Sequence, residues 1–278
     1  MASQIRLKQA MTSSQCRLCA STTIPRFDLK ILGKYQVAFF ECSNCGALQT
    51  EQPYWLDEAY GDKNLSNLDT GAARRNIHNM AACYAISKLF HLHHVIDIGG
   101  GDGLLCRMLR DLGINCYVKD KYATPIYAQG FTEQDFEQPD LVIGFEVIEH
   151  FANPQADLEN LFHYQAKAIL LSTGIYTHQG KEWNYICPES GQHVFFYSPK
   201  SLEWLAKKYG YCLVMRGDFI LFLKHASAFQ IAAAKLLLSK TVCRLLRAWV
   251  VLLPAPGIEK DQLLQVKKSQ QAKGSHRP

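Results

Sequence analysis

The stretch Val95-Ile96-Asp97-Ile98-Gly99-Gly100-Gly101-Asp102-Gly103 constrains this chain more than any other, because an apolar, β-branched run passes directly into glycines and then into the helical pattern LLCRMLRDLG. Only a backbone without Cβ atoms turns that sharply from strand to helix and lets a ligand lie against it, so the segment predicts a nucleotide-type cofactor site at the carboxyl end of a parallel strand. A dinucleotide site spaces its glycines as GxGxxG. Here the order is DxGxGxG, through Asp97, Gly99, Gly101 and Gly103, with the acid ahead of the glycines.

From His94 to about Lys224, strand-like runs (HVIDIG, NCYVKD, LVIGFEV, AILLSTG) alternate with helical ones, which predicts an α/β fold with a doubly wound, mostly parallel sheet. The run YCLVMRGDFILFLK breaks at Arg216 to Asp218 and reads as two strands around a tight turn, an antiparallel pair at the end of that sheet. With the glycine loop, two further motifs make this domain resemble the class I S-adenosylmethionine-dependent methyltransferases. NCYVKD ends in Asp120, 17 residues after Gly103, and the run from Asp140 to Pro154 matches the family's EVxEH-x-x-x-P signature through Glu146, Glu149, His150 and Pro154. The resemblance covers roughly residues 75 to 224 and implies a Rossmann-like sheet that binds S-adenosylmethionine. It assigns the cofactor to Asp97, Gly99, Gly101, Gly103, Asp120 and Glu146, with Asp120 on the ribose hydroxyls; Glu133 or Asp135 could meet the adenine. A structural role for Asp97 stays open.

Cys16-x-x-Cys19 and Cys42-x-x-Cys45 stand 22 residues apart and offer four soft ligands in two knuckles, the pattern of a structural Zn²⁺ site with no open coordination position. The other six of the ten cysteines lie in apolar patterns and read as small core residues. MASQIRLKQAMTSSQ has no apolar signal core, and no run of 18 apolar residues occurs, so a reducing cytoplasm without a membrane span is the expectation. Such a knuckle ahead of a methyltransferase domain resembles the layout of sugar C-methyltransferases that act on nucleotide-linked deoxysugars, and of related enzymes of surface-polysaccharide biosynthesis. That implies a sugar, glycan precursor or other small polar acceptor.

A hydroxyl acceptor needs a base of near-neutral pKa, which histidine supplies best. His193 lies in the aromatic-rich insertion from Trp183 to Ser198 and is the first candidate, with Tyr197, Tyr185 and Glu189 as positioning residues. His150 in the EVIEH loop is the rival. A histidine that only holds a loop is the plain alternative for either.

The expected order is a zinc-binding knuckle over 12–50, a connector over 51–75, the methyltransferase domain over 76–225, a basic amphipathic helix over 226–253 and a disordered tail over 254–278. With 48% hydrophobic and 20% charged residues, the chain as a whole is not disordered. From Ala226 onward the charge is +7, which leaves −2 for the body. On a helical wheel Leu238, Val242, Leu245, Trp249 and Leu252 share one face, with Lys240, Arg244 and Arg247 opposite. The helix therefore suits peripheral contact with an anionic membrane or docking on protein. Two other functions remain open: a nucleic-acid or protein methyltransferase that holds a macromolecule with its knuckle and basic tail, or a non-catalytic cofactor-binding scaffold. Only Arg17, Arg26, Lys30 and Lys34 are basic within 12–50, which argues against nucleic acid.

Overall fold

A computed structural model describes residues 15–61, 69–132 and 138–274. The chain divides into two compact units, the first of residues 1–70, 146–163 and 172–213, the second of 71–145, 164–171 and 214–278.

The second unit carries the glycine loop. Its strands are β4 (His94–Ile98), β5 (Asn115–Lys119), β6 (Leu141–Phe145), β7 (Ala168–Ser172), β9 (Cys212–Arg216) and β10 (Phe219–Leu223), in the order β5-β4-β6-β7-β10-β9, with the unit boundary falling inside β7 and β9. β4 runs parallel to β5 (His94↔Asn115) and to β6 (Val95↔Leu141), and β10 runs antiparallel to β7 (Ile220↔Leu171). LVIGF, AILLS and FILFL are almost wholly buried. Such unbroken apolar runs are what strands covered on both faces require. Beyond YAQGF the backbone makes one parallel bridge, Val118↔Thr132, and Glu133 and Asp135 lie outside the described residues. At the β9–β10 turn Gly217 takes φ 61°, as a tight hairpin demands.

Helices α2 (Ala72–Phe90) and α3 (Leu104–Asp111) belong to the same unit. The C-terminal segment differs from expectation in two ways, the break in its helix and the order of its tail. Residues 226–253 form two helices, α6 (Ala228–Leu237) and α7 (Lys240–Val250), because the chain turns at extended Ser239 and so buries both Leu238 and Cys243. The apolar face of α7 points outward: Leu245, Trp249 and Leu252 are 66%, 48% and 80% exposed, whereas Cys243 and Val250 are buried. Lastly, the tail is helical rather than disordered over α8 (Pro256–Gly274). Buried Asp261 anchors it with both carboxylate oxygens, 2.7 and 2.8 Å from the Arg110 guanidinium and 2.8 Å from Arg107. At Gly257 the helix passes so close to the Arg110 carbonyl that no Cβ fits.

The first unit is built on β1 (Thr23–Ile31), β2 (Tyr35–Cys42), β3 (Leu48–Thr50) and β8 (Phe195–Phe196), an antiparallel sheet in that order. Its fourth strand comes from far along the chain, pairing Leu48↔Phe196 and Gln49↔Phe195. The 12–50 segment is therefore completed by a piece of the aromatic-rich insertion. Phe39, Leu48, Trp55, Tyr176, Ile186 and Phe196 fill the core behind the sheet. Trp55, read as part of a connector, is 2% exposed and donates its indole N–H to the Gly191 carbonyl at 2.7 Å. Helices α1 (Leu56–Gly61), α4 (Pro154–His163) and α5 (Pro199–Tyr209) complete the unit, and Phe162 stacks on Tyr209 with centroids 4.1 Å apart.

Candidate functional site

In the second unit, β4 delivers Asp97 to the start of the glycine loop, where Gly99, Gly101 and Gly103 take φ 68°, 58° and 81°. L-residues with side chains rarely adopt these values. A Cβ at Gly103 would stand 2.8 Å from that of Ala128, and one at Gly100 would stand 2.5 Å from Asp97 Oδ2, whereas nothing lies within 4 Å of the Cβ position of Gly101. The loop is thus tight beneath and open above. Asp120, at the end of β5, is tied to it: Oδ2 accepts from the Gly101 N–H at 2.9 Å, and Oδ1 accepts from the N–H groups of Tyr122 and Ala123 at 2.7 Å each.

Asp97 is 2% exposed and its Oδ2 has no partner among the described residues. Burial, reinforced by the Asp120 charge, pushes its carboxyl up to about 8. An orphaned acid beneath an open backbone cradle fits a ligand that brings positive charge, as S-adenosylmethionine does. The folded pKa lies above the ordinary carboxyl value. Asp97 therefore favours folding fully below about pH 4, and that contribution is withdrawn as pH rises through about 8. Asp97→Asn is expected to raise the ligand-free melting temperature at pH about 9, by an effect on the order of several kcal/mol, and to leave it unchanged near pH 4. Melting curves at the two pH values check this; a variant no more stable than the parent at high pH counts against it.

In the first unit, the EVIEH loop builds a second cluster. Glu146 follows β6 directly with φ 57°, a strained backbone for a non-glycine residue and one that tends to occur at functional positions. Its N–H donates to the Ser172 carbonyl at 3.1 Å, and Oε1 accepts from Ser172 Oγ at 2.7 Å. The Tyr185 hydroxyl lies 2.8 Å from Glu146 Oε2, 2.6 Å from Glu149 Oε1 and 3.1 Å from Thr173 Oγ1. One proton serves both carboxylates, and burial with the two negative charges raises the Tyr185 pKa far above its usual value. Gly174 is required beneath it, since a Cβ there would enter the tyrosine ring.

Glu149 is wholly buried, and its Oε2 has no partner among the described residues. His193 donates from Nδ1 to the Tyr185 carbonyl at 2.6 Å, which turns Nε2 toward Glu149 Oε1, 4.0 Å away. The His150 ring meets that of His193 edge-on at 4.9 Å, and its Nδ1 lies 3.3 Å from the Tyr60 hydroxyl. Burial and then His193 push His150 down to about 3, which makes it a weak base.

Of the residues expected at the acceptor, the structure brings together His193, His150 and Tyr185, along with Glu146. It leaves out exposed Glu189 and also Tyr197, which is fully buried and donates to the Ile148 carbonyl at 3.2 Å. Glu149 was visible only as a motif letter; its burial beside two histidines is what marks it.

The four knuckle cysteines gather within 4.8 Å of one another, with Sγ separations of 3.7 Å for Cys16–Cys45 and 3.5 Å for Cys19–Cys42. A tetrahedral ion about 2.3 Å from each sulfur sets its ligands about 3.8 Å apart, so the quartet fits Zn²⁺. The charge balance agrees. Cys16 is held down at about 5 chiefly by its hydrogen bond with Cys45, which is itself pushed far up, so the pair cannot ionise together without a cation. Between these ligands, half-buried Arg17 spends its guanidinium on the carbonyls of Val194 (2.6 Å), Ala152 (3.1 Å) and Thr50 (3.2 Å). Arg26 pairs with Glu41 at 3.3 Å and Lys34 with Glu58 at 2.5 Å. Three of the knuckle's four bases are thereby occupied within the protein.

A family model described as a methyltransferase domain, Methyltransf_23, matches residues 66–215. No curated protein matches the chain. Among solved structures it is similar to the methyltransferase domain of bacterial CtHen1-CN (22% identity, 53% of this chain and 98% of that one, TM-score 0.39). Others are human N-acetylserotonin methyltransferase with SAM (16%, 53% and 52%, 0.39) and magnesium protoporphyrin IX methyltransferase from Synechocystis PCC 6803 with bound SAH (12%, 61% and 98%, 0.42).

Proposed function

The chain belongs to this methyltransferase-domain family of S-adenosylmethionine-dependent transferases, and on that premise we propose that it methylates a hydroxyl of a sugar, glycan precursor or other small polar acceptor. The observation that carries the cofactor side is the unpartnered Asp97 carboxylate under the open Gly101 backbone, with Asp120 hydrogen-bonded to the same loop. Asp97, Gly99, Gly101, Gly103 and Asp120 hold the cofactor, whose sulfonium supplies an electrophilic methyl group for in-line displacement. Glu146 is tied up by Ser172 and Tyr185, so its part is to orient the loop. Zn²⁺ on Cys16, Cys19, Cys42 and Cys45 is structural, and a reducing cytoplasm suits a site made of thiolates.

His193 is the acceptor-side residue, with Nδ1 held by the Tyr185 carbonyl and Nε2 turned toward Glu149. Occupation of Arg17, Arg26 and Lys34 within the protein supports a small acceptor over a nucleic acid. Calorimetric titration with S-adenosylhomocysteine is expected to give one site per chain that Asp120→Ala weakens; no binding by the folded parent protein would end the proposal. His193→Ala is expected to lower kcat by roughly 10²–10⁴-fold with cofactor affinity unchanged, and equal losses in both would reduce His193 to a packing role.

No helix among the described residues is long and apolar enough to cross a membrane. The outward Leu245, Trp249 and Leu252, with exposed Phe229 and Leu236 and the segment's charge of +7, support peripheral attachment to an anionic bilayer. Flotation with phosphatidylserine vesicles, lost in Trp249→Ser and absent with phosphatidylcholine alone, is the expected outcome.

A further inference from the structure

We propose that Glu149, His150 and His193 hold a divalent cation, which binds the acceptor and acidifies the hydroxyl to be methylated. This deepens the function given above and rests on it; His193 then acts as a ligand rather than as the group that takes up the proton.

Three observations carry the site. Each of the three residues offers one ligand atom, and those atoms all lie within 4.8 Å of one another, close enough for modest side-chain rotation to draw them onto one ion. Glu149 is 0% exposed, its Oε2 has no partner, and the one ion-pair contact described for it is His193 at 4.0 Å. A carboxylate so placed needs positive charge, because burying an uncompensated charge is strongly unfavourable. The supporting shell is also that of a metal centre. The Nδ1–H of His193 is held by the Tyr185 carbonyl, which aims the Nε2 lone pair inward, and the Tyr185 hydroxyl orients the Glu149 carboxylate from its other oxygen.

Two imidazoles and a carboxylate accept Mn²⁺, Fe²⁺ or Co²⁺ as well as Zn²⁺, whereas four thiolates select Zn²⁺, so a single zinc equivalent fills the knuckle and leaves this site to the added cation. Three protein ligands leave an octahedral ion with positions for two acceptor oxygens. That favours a vicinal diol, as sugars present. In the transfer the acceptor O–H gives its proton to water, the oxygen forms the new bond to the methyl carbon, and the C–S electron pair remains on sulfur as the sulfonium becomes a neutral thioether.

The test is titration of the full-length, zinc-loaded protein with MnCl₂, followed by electron paramagnetic resonance. One Mn²⁺ per chain is expected, weakened roughly tenfold or more by the near-isosteric Glu149→Gln, together with ¹⁴N electron spin-echo modulation from bound imidazole that drops in His193→Ala. The parent's ¹⁴N signal decides the matter even if a variant misfolds. Absence of stoichiometric Mn²⁺, or Mn²⁺ without ¹⁴N modulation, overturns the cation site. S-adenosylhomocysteine calorimetry on the same sample separates the two ideas: cofactor binding without Mn²⁺ sinks only the cation, whereas Mn²⁺ without cofactor binding sinks the methyltransferase mechanism and leaves the metal centre.

Discussion

A Cys45→Ser variant is expected to lose its zinc equivalent and, with it, the folded state of the β1-β2-β3-β8 sheet. Structural zinc in small domains contributes about 10–16 kcal/mol of folding free energy, and loss of one of four ligands forfeits much of that. The damage spreads beyond the knuckle, because the Cys45 carbonyl accepts from Ser198 Oγ at 2.6 Å and Ser198 caps α5. Metal analysis and near-ultraviolet circular dichroism measure the two losses. Retention of a full zinc equivalent with an unchanged melting temperature would remove the metal from the account. Cys83→Ala provides the contrast: that thiol is fully buried in α2 outside the quartet, and its replacement is expected to leave the zinc content at one equivalent.

Arg110→Ala comes next in size. It strips the buried Asp261 of its two-pronged partner and leaves a lone carboxylate beside Arg107, at a cost of about 3–5 kcal/mol. Arg110 also lies over the Phe131 ring at 3.5 Å, so the truncation opens space beside that ring as well. Hydrogen exchange over 256–274 should rise sharply while that of β4 and β6 changes less; uniform protection would mean that α8 is held by something else. Burial pushes Asp261 up, but Arg110 and Arg107 overcome it and hold the carboxyl below its usual value. Its contribution is therefore present above about pH 4 and fades as acid protonates it. The parent and Arg110→Ala melting temperatures should converge at low pH.

What could be foreseen from sequence was the local part. The glycines, the acid ahead of them and the β-branched runs each dictate backbone geometry within a few residues, which is why β4, α3, β5 and the β9–β10 turn follow the pattern. What escaped depends on partners far along the chain. Nothing in the Lys/Gln-rich tail advertises a helix until Asp261 meets Arg110, 151 residues earlier. Arg17, counted as a surface base, is consumed by carbonyls as distant as Val194. The wheel correctly grouped Leu245, Trp249 and Leu252 and left open what they meet, since periodicity identifies a face without saying what it faces; the structure turns them outward. At the candidate site, Glu146, His150 and His193 were named from motif and chemistry, but the tyrosine hydroxyl shared by two carboxylates is visible only in three dimensions.

The late origin of β8 has a consequence for biosynthesis. Ribosomes add about 5–20 residues per second, so the knuckle's hairpin is made roughly 8–30 s before Phe195 and Phe196, which pair with β3. During that interval β3 is an open edge and the four thiols are exposed to solvent. Early metal capture would protect both, by closing the thiols against oxidation and by holding the nascent ribbon in register until its missing strand arrives. Zinc supply during translation, more than the stability of the finished protein, would then set the yield of correctly assembled chains.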